Sequence, residues 1–404
     1  MIQPRTIRGE RGATSLFIVL FSTLLFTVIT VGFLSLMISD QRRATDSEWS
    51  EGAYDSALAG VEDGKRVLSL CRTSGNPNSE ACRAIDEQEC DTIASAGLVS
   101  AVDGEVLIQS QGGSGDTVNQ AYTCVIIRRD TPEYKGYLKH DDSVLIPLET
   151  NGVEYDQVTI SWFTQKDASS ASATLDGLTS PGGSSVPLPD LYTWSASANG
   201  TRPPIMRAQL MQYDGSKSIN LGQFNQNKYA HTSFLYPATA GVLASNSFSI
   251  ASADQRNPSD LGVSSAKDSP KSIKCEETIP KVGYACSVTI DLPPVKATAT
   301  EDQSDRVGLL RLTALYQKAA FRVQMRNSAT DGIVDFVGTQ PSIDSTGRAG
   351  DVFRRVDARI NMDGAAAAPY PRATIDVTES LCKNLRLGAD ADSSTDWQSC
   401  NPKP

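Results

Sequence analysis

Histidine is almost missing from this chain: its 404 residues include only His140 and His231. Two imidazoles leave little room for a histidine-rich metal centre or a serine–histidine–aspartate relay. No phosphate-cradling glycine loop, G-x-S-x-G elbow or H-E-x-x-H helix occurs. His140-Asp141-Asp142 gathers proton-transfer groups, but the sequence ties no nucleophile to it, and it reads as a surface turn. These gaps point away from an enzyme. Positive charge is also in deficit, with 37 Lys+Arg against 47 Asp+Glu and a net charge of -10. Nearly all of that excess lies beyond residue 70. An acidic chain repels phosphate backbones, so bulk charge argues against nucleic acid as a partner, although a local basic patch would escape the average. With 40% hydrophobic and 21% charged residues, the chain is not a disordered one. Its length allows one large domain or two to three ordinary ones.

Charge disappears altogether from Gly12 to Ser39, a run of 28 residues. About 20 apolar residues cross a bilayer as a helix. Leu16, Phe17, Leu20, Leu24 and Leu25 belong to the most apolar part of this run. The serines and threonines within it can return their hydroxyls to the helix's own carbonyls. Arg5, Arg8 and Arg11 precede the run, so residues after Asp40 are expected outside the membrane. A cleaved secretory signal fits poorly, because the run is long and no Ala-x-Ala site precedes Asp40. A plain signal anchor fits. So does a third reading: a basic leader ending in Gly12, directly before an apolar helix starting at Ala13, is where a prepilin-type peptidase cuts.

Residues 40–70 contain no proline. Ala53, Ala57, Val61 and Leu68, with Tyr54 and Leu58 beside them, recur at helical spacing. One helix from Ala13 to about Leu70 is therefore expected, roughly 87 Å long at 1.5 Å per residue. Gly32, Gly52, Gly60 and Gly64 are points where it could bend.

Arg11-Gly12-Ala13-Thr14-Ser15-Leu16-Phe17-Ile18-Val19-Leu20, followed by Ala53-Tyr54-Asp55-Ser56-Ala57-Leu58-Ala59-Gly60-Val61-Glu62, resembles the type IV pilin superfamily. The nearest likeness is to PilX-type minor pilins and K-type minor pseudopilins. The resemblance covers about residues 5–70. It implies an extracellular subunit of a pilus or related fibre, cut by prepilin peptidase and assembled with other pilin-like subunits by the pilus machinery. It implies no cofactor. The residue after the cut is Ala13, where most pilins have an aromatic residue or Met, and Glu10 is unusual in a leader. The fifth residue after the cut is Phe17, where most pilins carry a Glu that pairs with a neighbour's amine. A subunit without that Glu can offer its own amine to the next subunit but cannot dock on a preceding one, which suits the tip or the initiation of a fibre. The rival from another class is an uncleaved single-pass membrane protein with an extracellular binding or adhesive domain.

Beyond residue 70 the fold class expected is α+β overall: the long N-terminal transmembrane helix, then a large antiparallel β-rich ectodomain over residues 71–404. Apolar–polar alternation marks strands at 105–110, 122–128, 144–148, 158–164, 205–213, 284–292, 320–326 and 352–362. Residues 309–317 read as a strand too, although 309–325 could form a helix because no glycine or proline interrupts it. Long loop-like insertions fall near 167–189 and 252–272. Cysteine is absent from the first 70 residues, and all eight lie beyond: Cys71, Cys82, Cys90, Cys124, Cys275, Cys286, Cys382 and Cys400. An even number outside the membrane reads as disulfides. Cys275–Cys286 would clip a loop and Cys382–Cys400 the C-terminal tail, which leaves the other four for two bridges of open connectivity. Zinc is disfavoured, since there is no CxxC pair and no nearby histidine. Asp390, Asp392 and Asp396 alternate like the start of a calcium loop, but the turn glycine and the closing Glu are lacking. Tyr192, Trp194 and Trp397 are aromatic residues that more often pack than bind.

The Phe17→Glu variant tests the tip assignment. It is expected to change fibre initiation and move the subunit from the tip; unchanged initiation and position in assembled fibres would refute the assignment.

Overall fold

The structure, a computed structural model, describes residues 11–108, 119–168, 202–218, 228–239, 244–250 and 271–361. It also describes short stretches at 174–175, 178, 185–187, 194 and 386–388. The helices are α1 (Arg11–Ser74), α2 (Glu80–Glu87) and α3 (Thr92–Ser95). The first strands are β1 (Val106–Leu107), β2 (Gln120–Thr131), β3 (Tyr134–Leu138), β4 (Ser143–Leu148), β5 (Gln157–Trp162) and β6 (Ser185–Pro187). Next come β7 (Ile205–Asp214), β8 (Ala230–Ala238), β9 (Ser247–Ser249), β10 (Lys271–Lys274), β11 (Cys286–Asp291) and β12 (Arg306–Leu315). The last are β13 (Ala319–Asn327), β14 (Gly332–Val334), β15 (Phe336–Ala349), β16 (Val352–Arg359) and β17 (Arg386–Gly388). The chain divides into two compact units, Met1–Ile127 with Ile343–Ala358, and Arg128–Ser342 with Arg359–Pro404.

The first unit is a helix on a sheet. α1 is one unbroken helix of 64 residues, about 96 Å long at 1.5 Å per residue. The sheet it packs on has the order β1-β2-β15-β16. From residue 52 on, the buried positions are Gly52, Ala53, Ser56, Ala57, Gly60, Val61, Gly64, Val67, Leu68 and Cys71. That is a continuous stripe at spacings of three and four, the face of an amphipathic helix. Most of its members are small, and the reason is distance. A Cβ on Gly347 of β15 would lie 2.2 Å from both the Ala53 carbonyl oxygen and the Ala57 amide nitrogen. A Cβ on Gly60 would lie 2.3 Å from Ser345 Oγ. Backbone meets backbone, so the glycines of α1's second half serve close approach, and the helix runs straight through them. Tyr54 and Leu58, expected beside the core stripe, face outward at 49% and 36% exposure. Small side chains line the first part of the seam, Val61, Val67 and Leu68 its later part, and Tyr54 and Leu58 are turned to the opposite side.

Polar contacts pin the helix to the sheet and brace the sheet itself. The Tyr122 hydroxyl donates to Asp63 Oδ2 at 2.8 Å. Burial, with the Asp63 carboxylate beside it, pushes the phenol well above its ordinary range, so it stays a donor. Arg348 on β15 grips Glu105 through two nitrogens, at 2.8 and 2.5 Å. That hydrogen-bonded guanidinium holds the Glu105 carboxyl below the usual carboxylate range.

The second unit is a sandwich of two sheets. One has the order β10-β8-β7-β12-β4; the other is β14-β13-β5-β11-β9, with β3 also paired to β13. Ile146, Leu148, Leu210, Leu310 and Leu312 from the first meet Ile160, Trp162, Val288, Phe321 and Val323 from the second in one buried core. Strict alternation along β12 and β13 aims every second side chain inward. Residues 309–325 are thus two strands of different sheets and not a helix. Tyr316, at φ 73°, stands where the chain leaves β12 for β13. The sheets are mixed: most pairs are antiparallel, but β10 runs parallel to β8 and β11 parallel to β9. The expected α+β class, with a long apolar helix and a large β-rich domain, is found, and the two parallel pairs make its sheets mixed. More than 30 residues separate β8 from β10 and β9 from β11, enough to return the chain in the same direction, which a hairpin cannot do. A further pair, β6 with β17, is antiparallel.

Gly347→Ala is expected to lower stability by about 3 kcal/mol, since the new methyl has only backbone to displace. Thermal unfolding of the two proteins compares them, and an unchanged midpoint would contradict the close contact.

Candidate functional site

The first half of α1 is an apolar rod with no protein around it. Leu16, Phe17, Leu20, Leu24 and Leu25 are 64%, 77%, 60%, 63% and 50% exposed. With the equally exposed Ile18, Val19, Phe21 and Phe26 they cover all sides of the helix, so the rod is not apolar on one face only. Hydroxyls in its middle are closed on the helix: Ser22 donates to the Ile18 carbonyl at 2.7 Å, Thr27 to Thr23 at 3.0 Å and Thr30 to Phe26 at 2.7 Å. Donors so satisfied lower the cost of placing that stretch in hydrocarbon. Among the described residues, this is the one helix long and apolar enough to cross a membrane. Each large side chain removed from water contributes roughly 1.5–3 kcal/mol. A rod of this kind is therefore driven into lipid or against other apolar helices.

Gly12 and Ala13 lie in the first turn of α1, which begins at Arg11. The same helix then carries outward-facing Trp49, Tyr54, Leu58 and Leu70 on the half that packs on the sheet. Reading periodicity alone missed that second surface. The signal available was the size difference along the stripe: Gly52, Ala53, Ser56, Ala57 and Gly60 on one side, Tyr54 and Leu58 on the other.

The cysteines form staples around the units' cores. Cys71 at the end of α1 is bonded to Cys82 in α2, Cys90 to Cys124 in β2, and Cys275 to Cys286. Cys382 and Cys400 lie outside the described residues. Asp390, Asp392 and Asp396, the calcium candidates, do too, as do Tyr192, Trp397 and nearly all of 167–189 and 252–272. Among the described residues no group of His, Cys, Asp and Glu is placed to hold a metal ion. His140 and Asp141 form an exposed turn, with Nδ1 3.4 Å from Oδ2 and Asp141 at φ 57°. Trp194 is 2% exposed and packs edge-on against Tyr236 at 5.3 Å between ring centroids. It is core, not a ligand patch.

Alkylation and peptide mapping without reductant are expected to find the three bridges. The Cys275→Ala, Cys286→Ala pair is expected to cost about 2–4 kcal/mol of stability. Free alkylation of all six thiols in the native protein would contradict the pairing.

Comparison with known proteins adds no relative: no protein-family model matches the chain, and no curated protein or solved structure is significantly similar to it.

Proposed function

We propose that this chain is a minor-pilin-like subunit of a type IV pilus or related fibre, acting at the tip or in initiation. The observation that carries the proposal is α1. One helix presents an apolar rod, fully exposed, and then continues without a break into the glycine-lined seam of a four-stranded sheet. Such a subunit keeps the rod in the membrane until assembly and then exchanges lipid for neighbouring helices. Ser22, Thr23, Thr27 and Thr30 keep their bonds to the helix's own carbonyls through that exchange. Tyr54, Leu58 and Leu70 extend the contact surface beyond the rod. Prepilin peptidase acts between Gly12 and Ala13, and Phe17 leaves the subunit without the carboxylate that docks on a preceding amine. The second unit faces outward for adhesion or partner binding.

The N-terminal residue of the protein isolated from its own cells tests this. A free or methylated Ala13 is expected. An intact start at Met1 or Ile2 would refute fibre processing and leave a single-pass anchored binding protein.

A further inference from the structure

On the second unit, the outward face of β13 and β3 gathers positive charge in a chain that is acidic overall. Arg322 stands opposite Lys135 on one side and Ser161 on the other, so the three share one face of the sheet. Arg359 approaches from the end of β16. All three cations surround a single carboxylate, Glu133. Arg359 donates to its carbonyl at 2.8 Å and lies 3.1 Å from Oε1; Lys135 Nζ is ion-paired to the same oxygen. Arg322 Nη1 is 3.7 Å from Oε2, too far for a hydrogen bond. The other carboxylate nearby, Asp167, is already taken: Oδ2 accepts from the Thr164 amide at 2.7 Å and the Ala320 amide at 3.1 Å.

Arg322 is thus a fork of five donors with none in use among the described residues. Its Nε is shielded from water and has no partner. A shielded donor left so is unfavourable, and a ligand oxygen would relieve it. The fork is also held in place. Its guanidinium lies 5.3 Å from the centre of the Tyr284 ring. Lys135 opposite is fixed through its backbone by Gln340, whose Oε1 accepts from its amide at 2.8 Å and whose Nε2 donates to its carbonyl at 2.6 Å.

We infer that Arg322, with Lys135 and Arg359, forms a binding site for a carboxylate carried on an oligosaccharide. The planar fork fits a carboxylate with two parallel hydrogen bonds. The surroundings supply what the rest of an acidic sugar needs. Gln324, Thr159, Thr289 and Ser287 follow on the same face with hydroxyls and an amide, and Tyr137, 51% exposed, offers a ring for a sugar's apolar side. A ligand of sparse charge suits the site, since the chain's net -10 repels a densely charged polyanion.

The test uses the full chain in nanodiscs and titrates sialyllactose, a glucuronate-terminated disaccharide and neutral lactose by calorimetry. At least one acidic sugar is expected to bind, and lactose to bind at least tenfold more weakly. Arg322→Gln is expected to lower the affinity about tenfold without changing the melting temperature. Glu133→Gln, which removes the competing carboxylate, is expected to raise it. Failure of both acidic sugars to bind, equal binding of lactose, or unchanged affinity in Arg322→Gln would overturn the site. Equal binding of a single-stranded oligonucleotide would overturn the choice of sugar. None of these outcomes depends on how the N-terminus is processed, so this site and the fibre proposal stand or fall separately.

Discussion

The first unit depends on one contact: the backbone of α1 against the backbone of β15, with nothing between them. Gly347 touches the helix at Ala53 and Ala57, and Gly60 touches the sheet at Ser345. Apolar area buried by such small groups is modest per residue. What the closeness supplies is fit. Dispersion falls off steeply with distance, so two flat surfaces in van der Waals contact gain over their whole length. Hydrogen bonds from Tyr122 to Asp63 and from Arg354 to Ser50 then fix the register. The long helix is tied to the sheet without a large hydrophobic residue pointing outward for the purpose. That leaves Tyr54 and Leu58 free for other contacts.

The second unit solves a different problem with ordinary means. Two sheets bury one apolar face each; the outer face of the first also carries a small cluster of Trp194, Ile205 and Phe234, and that of the second is polar. Cross-strand pairs on one outer face are hydroxyl to hydroxyl, Thr159 with Thr289 at 2.9 Å and Ser161 with Ser287 at 2.9 Å. Such pairs satisfy each other yet keep lone pairs for a visitor. Inside, Arg306 is 5% exposed and rests on the Pro293 carbonyl at 3.1 Å, the Gln212 amide oxygen and the Tyr155 ring. Burial lowers its pKa from the usual arginine range. Among the described residues it is neutral dipoles, not a carboxylate, that solvate this cation.

Much of this architecture could be read from the residues. A run without charge and a proline-free continuation define α1. Period-two alternation marks β2, β4, β5, β7, β11, β12 and β13, because each has one face in a core; β16 alternates too, although none of its residues is buried. β15 escaped: Gly338, Pro341 and Gly347 break its pattern, and Gly347 is there for the helix, not for the strand. β3 and β8 escaped as well. β3 carries Gly136 in its middle, and β8 is bordered by polar sequence. The assignment of strands to two sheets, and the parallel pairs, depend on contacts distant in sequence, which no local pattern carries. The cationic site was foreseen only as a patch that an average charge would hide. Arg322, Lys135 and Arg359 are far apart in the chain, and only the register of β3 on β13 unites the first two.

The placement of two disulfides has a mechanical consequence. Cys71 sits at the end of α1, and its bond to Cys82 closes off residues 72–81; Cys90–Cys124 closes off residues 91–123. Tension applied along α1 reaches β2 through these bonds, not through the loops they bypass. Each looped-out residue would otherwise add about 3.5 Å of slack on stretching. With the bridges intact, that length is never released. The helix must then slide along the sheet as a whole before it can yield, and a sliding seam resists far more force than one peeled open a contact at a time.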